Sequence, residues 1–178
     1  RGRAPLVILA HQFGSQGAAW APLVEQLRQR GLATLAVDLR GHGASTRKNG
    51  QTIQIQYDFA ASAKDIGFDR IPGDLALAAA WARKQPGVDG RRLGLAGASV
   101  GAYSAILAAP KIHPVAVLAL SPAGGEAFGK DGRDRLLDSL RAGRAATFLF
   151  ASDRDGEAYE CAQAMKDMNG VCAKLLKG

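Results

Sequence analysis

Residues 97–101 read Gly-Ala-Ser-Val-Gly, inside the run RRLGLAGASVGAYSAI. A serine with glycine two positions to either side is the spacing of a nucleophile held on a sharp strand-to-helix turn, its hydroxyl clear of the backbone. The helix that starts beside it would aim backbone N–H groups and the positive end of its dipole at the same spot. A carbonyl attacked by Ser99 would leave an oxyanion there, with the N–H of Val100 as one donor. Because a free serine is a weak nucleophile until a base takes its proton, the three histidines, at 11, 42 and 113, are the next residues to place. In a chain with 22 glycines the five-residue string is only moderately specific; its weight comes from a predicted strand before it and a predicted helix after it.

The elements that would position these groups follow from the hydrophobic pattern. Short apolar runs alternate with helix-length stretches, the pattern of β-α-β units and a parallel sheet. Leu6–Ala10 reads as a buried strand, followed by a helix carrying Trp20, Leu23, Val24 and Leu27 at helical spacing. Ala33–Val37 is a second strand running into Asp38-Leu39-Arg40-Gly41-His42-Gly43, where two glycines ask for a tight turn. From Ala44 to about Gly73 the chain reads as irregular, with Ile53, Ile55 and Tyr57 alternating as in a short edge strand; loops this long in compact domains are usually functional or mobile. A helix is predicted over 74–84, with Leu75, Leu77, Ala78 and Trp81 on its apolar face, ending before Pro86. Strands at 93–96, 115–120, 147–151 and 171–176, and helices at 100–108, around Leu136 to Leu140 and at 157–168, complete the order. The expected fold is α/β: one domain over residues 1–178, with a predominantly parallel sheet of six strands and helices on both faces. Only about 25 residues join the strand ending near Leu120 to the one starting at Thr147, too few for a large cap.

Composition excludes several classes. Apolar residues make up 47% and charged residues 22%, and no apolar run approaches the roughly 20 residues of a membrane-spanning helix. The formal charge of +7 is scattered in pairs such as Arg47-Lys48 and Arg91-Arg92, and aromatics are only 6%; this is a solvated surface rather than a nucleic-acid patch. Cys161 and Cys172 have no metal-ligand spacing and read as two small core residues. No metal, nucleotide or flavin motif appears, so no cofactor is expected. No targeting segment is present, which leaves the compartment open, as it does the oligomeric state.

Four stretches in this order, LVILAHQFG, LAVDLRGHGAS, LGLAGASVG and FLFASDRDG, resemble the α/β-hydrolase fold family in its serine-esterase, dienelactone-hydrolase-like branch. The resemblance covers nearly the whole chain. It implies that the loop after the first strand supplies the second oxyanion donor, the backbone N–H of Phe13, with Gln12 as runner-up because His11-Gln12 stands where the family has His-Gly. It implies that His11 braces that loop, that Asp38, Arg40, His42 and Ser45 form a structural turn, and that the catalytic acid follows the strand ending at Ala151. Asp155 fits that position better than Asp153, while one of the two caps the next helix. Serine rather than aspartate at the elbow argues against the dehalogenase and epoxide-hydrolase branches.

The same resemblance places the base after the last strand, beyond Gly178, whereas all three histidines precede the acid. His113, in Lys-Ile-His-Pro, falls at the amino-terminal end of the sheet. Three explanations stand open: the chain is truncated, at both ends since the family usually has strands before Leu6; it is a pseudoenzyme; or another chain supplies the base. The expectation is a truncated hydrolase of carboxylic esters or related acyl bonds, with Ser99 as nucleophile, Phe13 and Val100 holding the oxyanion, and Asp155 orienting the absent histidine. The site is expected to be open, bordered by Tyr57, Phe59 and Phe68 and by the Gly124-Gly125 loop with Phe128. The alternatives are a non-catalytic binding protein of the same fold, and a peptidase or acyltransferase.

Overall fold

In chain order the elements are β1 (Ala4–Ala10), α1 (Ala21–Gln29), β2 (Ala33–Val37), β3 (Arg47–Lys48), β4 (Gln51–Thr52), α2 (Phe59–Ile66), α3 (Ile71–Ala82), β5 (Val88–Ala98), α4 (Val100–Ile112), β6 (Ala116–Leu120), α5 (Gly132–Ala142), β7 (Ala146–Ser152), α6 (Gly156–Met165) and β8 (Val171–Leu176). They come from a computed structural model that describes residues 2–177. Six strands form one sheet in the order β2-β1-β5-β6-β7-β8, every pairing parallel. β3 and β4 form a separate antiparallel hairpin.

Parallel neighbours need crossover connections, and these are right-handed. The step from β1 to β2 runs towards one edge of the sheet, and every later step runs towards the other. The right-handed rule therefore puts α1 on one face and α3, α4, α5 and α6 on the opposite one. The main core lies under this second group, where Leu6, Ile8, Leu93, Leu95, Val117, Ala119 and Leu149 face the helices. α4 is central: it packs against β5 and β6 beneath it and against α3 and α5 at its sides. Such a helix must be apolar nearly all round, and Val100, Ala102, Ala105, Ile106 and Ile112 are all buried.

The α1 face is covered less completely. Among the described residues α1 packs chiefly against β2. Side chains alternate across a strand, so Leu118 and Leu120 of β6, Phe148 and Phe150 of β7, and Leu176 of β8 share this face. Phe148 and Leu176 are each 44% exposed. No helix among the described residues is long and apolar enough to cross a membrane.

Several expectations need correction. The segment with Ile53, Ile55 and Tyr57 forms no strand: the Ile53 and Ile55 N–H groups donate to Thr46 and Gly41 carbonyls in a folded loop, and both side chains pack on the core. The stretch from Ala44 to Gly73 is not one irregular loop, since it holds the hairpin and α2. α3 starts at Ile71 and buries Ile71, Leu75, Ala79 and Ala82, leaving Leu77 and Trp81 in solvent. Cys161 is buried, but Cys172 lies on the exposed side of the edge strand β8 and is not a core residue; both are free thiols.

Candidate active site

Ser99 is the single residue between β5 and α4, with φ 52° and ψ −123°. A non-glycine residue at positive φ is strained by roughly 1–3 kcal/mol and persists only where its surroundings enforce it. Here its N–H donates to Leu120 O at 2.9 Å, and its carbonyl accepts from Tyr103 N at 3.0 Å, closing the first turn of α4. The flanking glycines are demanded by close backbone approach. A Cβ on Gly97 would lie 2.4 Å from the Gly101 carbonyl group, and one on Gly101 would lie 2.4 Å from His11 O. The elbow can be this sharp only because both positions lack a side chain. Val100, the first residue of α4, is fully buried behind the serine, and helix geometry leaves its N–H without an intrahelical acceptor.

The loop after β1 is held by two histidines. His11 Nδ1 lies 2.7 Å from Gln12 O, while Nε2 accepts the Leu39 N–H at 2.9 Å. His42 Nδ1 lies 3.0 Å from Arg40 O, and its Nε2 accepts the Gly14 N–H at 3.2 Å. In each ring Nδ1 carries the proton and Nε2 is an acceptor, which is the neutral imidazole. Burial pushes the pKa of both below the usual histidine value. Asp38 completes the turn by accepting from Ala44 N at 2.8 Å and Gly17 N at 2.7 Å, and these two bonds hold its carboxyl below the ordinary range. Phe13, half-buried, meets His42 and Phe59 edge-on with ring centroids at 5.7 and 5.2 Å.

Asp155 stands at the amino end of α6, past the carboxyl end of β7. Its Oδ2 accepts a short hydrogen bond from Ser121 Oγ. Asp153 directly follows β7, its N–H bonded to Leu176 O at 3.0 Å. One strand separates β5 from β7 in the sheet order, which leaves a lateral gap of two strand spacings, about 10 Å, between the main chain at Ser99 and at the end of β7. None of the three histidines fills it. His11 and His42 are committed to the β1 and β2 turns. His113 is exposed at the carboxyl end of α4, at the amino edge of the sheet and so at the opposite end of α4 from Ser99.

Of the expected border residues, Phe59 is in place: a Cβ on Gly124 would come within 2.8 Å of its ring. The others are corrected. Phe68 (0% exposed) and Phe128 (2%) lie in the core, and Tyr57 projects fully into solvent. A cleft of about 220 Å³ opens beside the elbow between Gln12, Trp20, Ala98 and Leu120.

Two residues were missed by sequence reasoning. Ser121, at φ 47°, ties the end of β6 to Asp155. Glu157 accepts the Gly124 and Gly125 N–H groups at 2.9 and 2.8 Å, fixing the loop that meets Phe59. The available signals were a Ser-Pro pair directly after an apolar strand and an acid in the first turn of a helix.

A parallel sheet that ends one central strand in a positive-φ serine between close-packed glycines is the architecture of the α/β hydrolase class of folds. The chain belongs to the alpha/beta hydrolase family, whose model matches residues 7–171. Among solved structures it is similar to an acetyl xylan esterase from Thermoanaerobacterium sp., with TM-score 0.70 and 16% identity over 99% of this chain and 68% of that one. It is also similar to a dienelactone hydrolase from Anabaena variabilis, with TM-score 0.68 and 20% identity over 100% and 76% of the two chains. A Pyrococcus furiosus esterase gives TM-score 0.71 and 21% identity over 99% and 74%. At these identities the likeness is one of fold. No curated protein sequence matches the chain.

Proposed function

We propose that the protein is a serine hydrolase that cleaves a carboxylic ester or related acyl bond through an acyl-enzyme on Ser99. The observation that carries the reading is the strained Ser99 elbow at φ 52°, built by the close approach of Gly97 to Gly101. In this reading Ser99 Oγ attacks the carbonyl, and the N–H groups of Phe13 and Val100 bind the oxyanion. Asp155, steadied by Ser121, orients the imidazole that takes the serine proton, and water then releases the acyl group. None of His11, His42 and His113 is placed to supply that imidazole, so in this reading it comes from outside residues 1–178. The esterases among the structural neighbours support an ester as the scissile group over an amide or an acyl transfer.

The positions of the three histidines favour a second reading, a non-catalytic protein of the same fold that binds a small apolar ligand at the elbow. A fluorophosphonate probe separates the two. Under the hydrolase reading it labels Ser99 in the protein supplied with its base, does not label Ser99→Ala, and labels the isolated 178 residues weakly. Equal labelling of wild type and Ser99→Ala would sink the nucleophile assignment, and no labelling in any form would leave the binding protein.

A further inference from the structure

Away from the elbow, a groove of about 340 Å³ lies between the carboxyl end of β2, the β3–β4 hairpin and the first turn of α3. Its floor is apolar, formed by Val37, Leu39, Ile53 and Leu75, and its rim carries six charged groups. Three of those are spent inside the fold. Asp38 has both oxygens occupied by the Gly17 and Ala44 N–H groups. Asp74 has both occupied by Arg40, whose Nε and Nη2 donate at 2.7 and 2.8 Å while Nη1 donates to Ile66 O at 3.2 Å. The other three, Arg47, Lys48 and Arg70, form no ion pair with a described residue. Three cations without a fixed partner therefore ring a groove in which Arg40 offsets Asp74 and Asp38 keeps its charge, so that four cations face two carboxylates above a floor that favours carbon over water.

We propose that this groove is a binding site for a small organic phosphate monoester, its dianionic head gripped by Arg47, Lys48 and Arg70 and its organic part lying on Val37, Leu39, Ile53 and Leu75. A phosphate matches the chemistry better than a carboxylate. It carries up to two charges and three acceptor oxygens, which suits two guanidinium forks and an ammonium. Phosphate is also the oxyanion whose shape arginine recognises bidentately. The cavity volume falls at the lower end of the range for small-molecule sites, so the ligand is a single ring or short chain bearing one phosphate. The site is independent of the acyl chemistry proposed for Ser99.

Isothermal titration with inorganic phosphate and with phenyl phosphate, at constant ionic strength against a chloride control, tests the proposal. Both bind at 1:1 stoichiometry, phenyl phosphate more tightly because its ring covers the apolar floor. Arg47→Gln combined with Arg70→Gln weakens both by about tenfold or more, and Lys48→Gln weakens them by a smaller factor. These side chains are exposed, so the variants keep the wild-type thermal midpoint. Arg91→Gln, an exposed arginine at the opposite end of the sheet, binds as the wild type does, and so does Ser99→Ala. No heat beyond the chloride control, unchanged affinity in the double variant, or an equal loss in Arg91→Gln would each overturn the assignment. Failure of the Ser99 probe experiment would leave it untouched.

Discussion

Ser121 Oγ donates to Asp155 Oδ2, joining the end of β6 to the residue that opens α6. Both residues stand at the carboxyl edge of the sheet, so the bond fixes the carboxylate relative to the strand that lies between it and Ser99. Ser121→Ala removes the donor and frees the carboxylate to rotate. The expected cost is about 1 kcal/mol of stability, at the low end for a charge-assisted bond because Asp155 is exposed. Urea unfolding of the variant checks this, and an unchanged midpoint would show that the carboxylate is held by other contacts.

Gly97→Ala and Gly101→Ala each place a methyl 2.4 Å from main-chain atoms that cannot swing aside. Losses above about 4 kcal/mol are expected, enough to unfold a protein of ordinary stability. Gly94→Ala, on the same strand, meets nothing nearer than 3.7 Å and is expected to stay within about 0.5 kcal/mol of wild type. Thermal midpoints of the three variants measure the contrast.

Tyr103 stacks on Phe128 with centroids 5.0 Å apart and rings 5° from parallel, yet its buried hydroxyl has no hydrogen-bond partner among the described residues. Burial also raises the phenol pKa well above the usual tyrosine range, so the group is neutral. Tyr103→Phe keeps the stack and deletes an orphan polar atom, which is expected to leave stability unchanged or raise it by up to about 1 kcal/mol. A fall of more than about 1 kcal/mol in urea unfolding would reveal a hydrogen-bonded water at that hydroxyl.

The neutral His11 and His42 predict a definite pH dependence. Both titrate lower in the folded protein than in the unfolded chain, so below the ordinary histidine value of 6.5 the unfolded state holds more protons. Stability is therefore complete above about pH 6.5 and falls as the pH drops through and below that value, by up to about 1.4 kcal/mol per pH unit for each histidine. Urea unfolding between pH 8 and pH 5 tests this, with a flatter profile expected for His42→Gln. A stability that rose on acidification would contradict the neutral assignment.

Phe148 and Leu176 give the α1 face an apolar patch on β7 and β8. Phe148→Lys is expected to reduce binding of a hydrophobic dye while changing stability by less than about 0.5 kcal/mol. Dye fluorescence and urea unfolding read the two effects.

The legible parts of the molecule were those specified locally. Ser99 was readable because the elbow needs small residues at fixed offsets, and Ala33–Val37 and Val171–Leu176 were readable because polar turns bound each apolar run. Leu77 and Trp81 were misplaced because α3 beyond Asp74 is apolar on every side, so periodicity alone cannot choose between a stripe through Ile71, Leu75 and Ala79 and one through Leu77 and Trp81. That choice is made by where α4 lies. The β3–β4 hairpin did carry a local signal: Asn49 and Gly50, at φ 51° and 81°, make the two-residue turn that favours right-twisted hairpins. It was passed over because its strands are polar and only two residues long. Ser121 and Glu157 became visible only when the sheet order brought the β6 and β7 ends together.

The main-chain bonds at the carboxyl edge have a further consequence. Ser99 N donates to Leu120 O, Ser121 N to Phe150 O and Asp153 N to Leu176 O, so three successive strand ends are hung one from the next like rungs. Positions carried on these strand ends step away from the elbow by one strand spacing, about 4.8 Å, at a time, residue 121 standing one step from Ser99 and residue 153 two. Asp155, past the end of β7, lies off this ladder, and its carboxylate is set by the Ser121 hydroxyl instead.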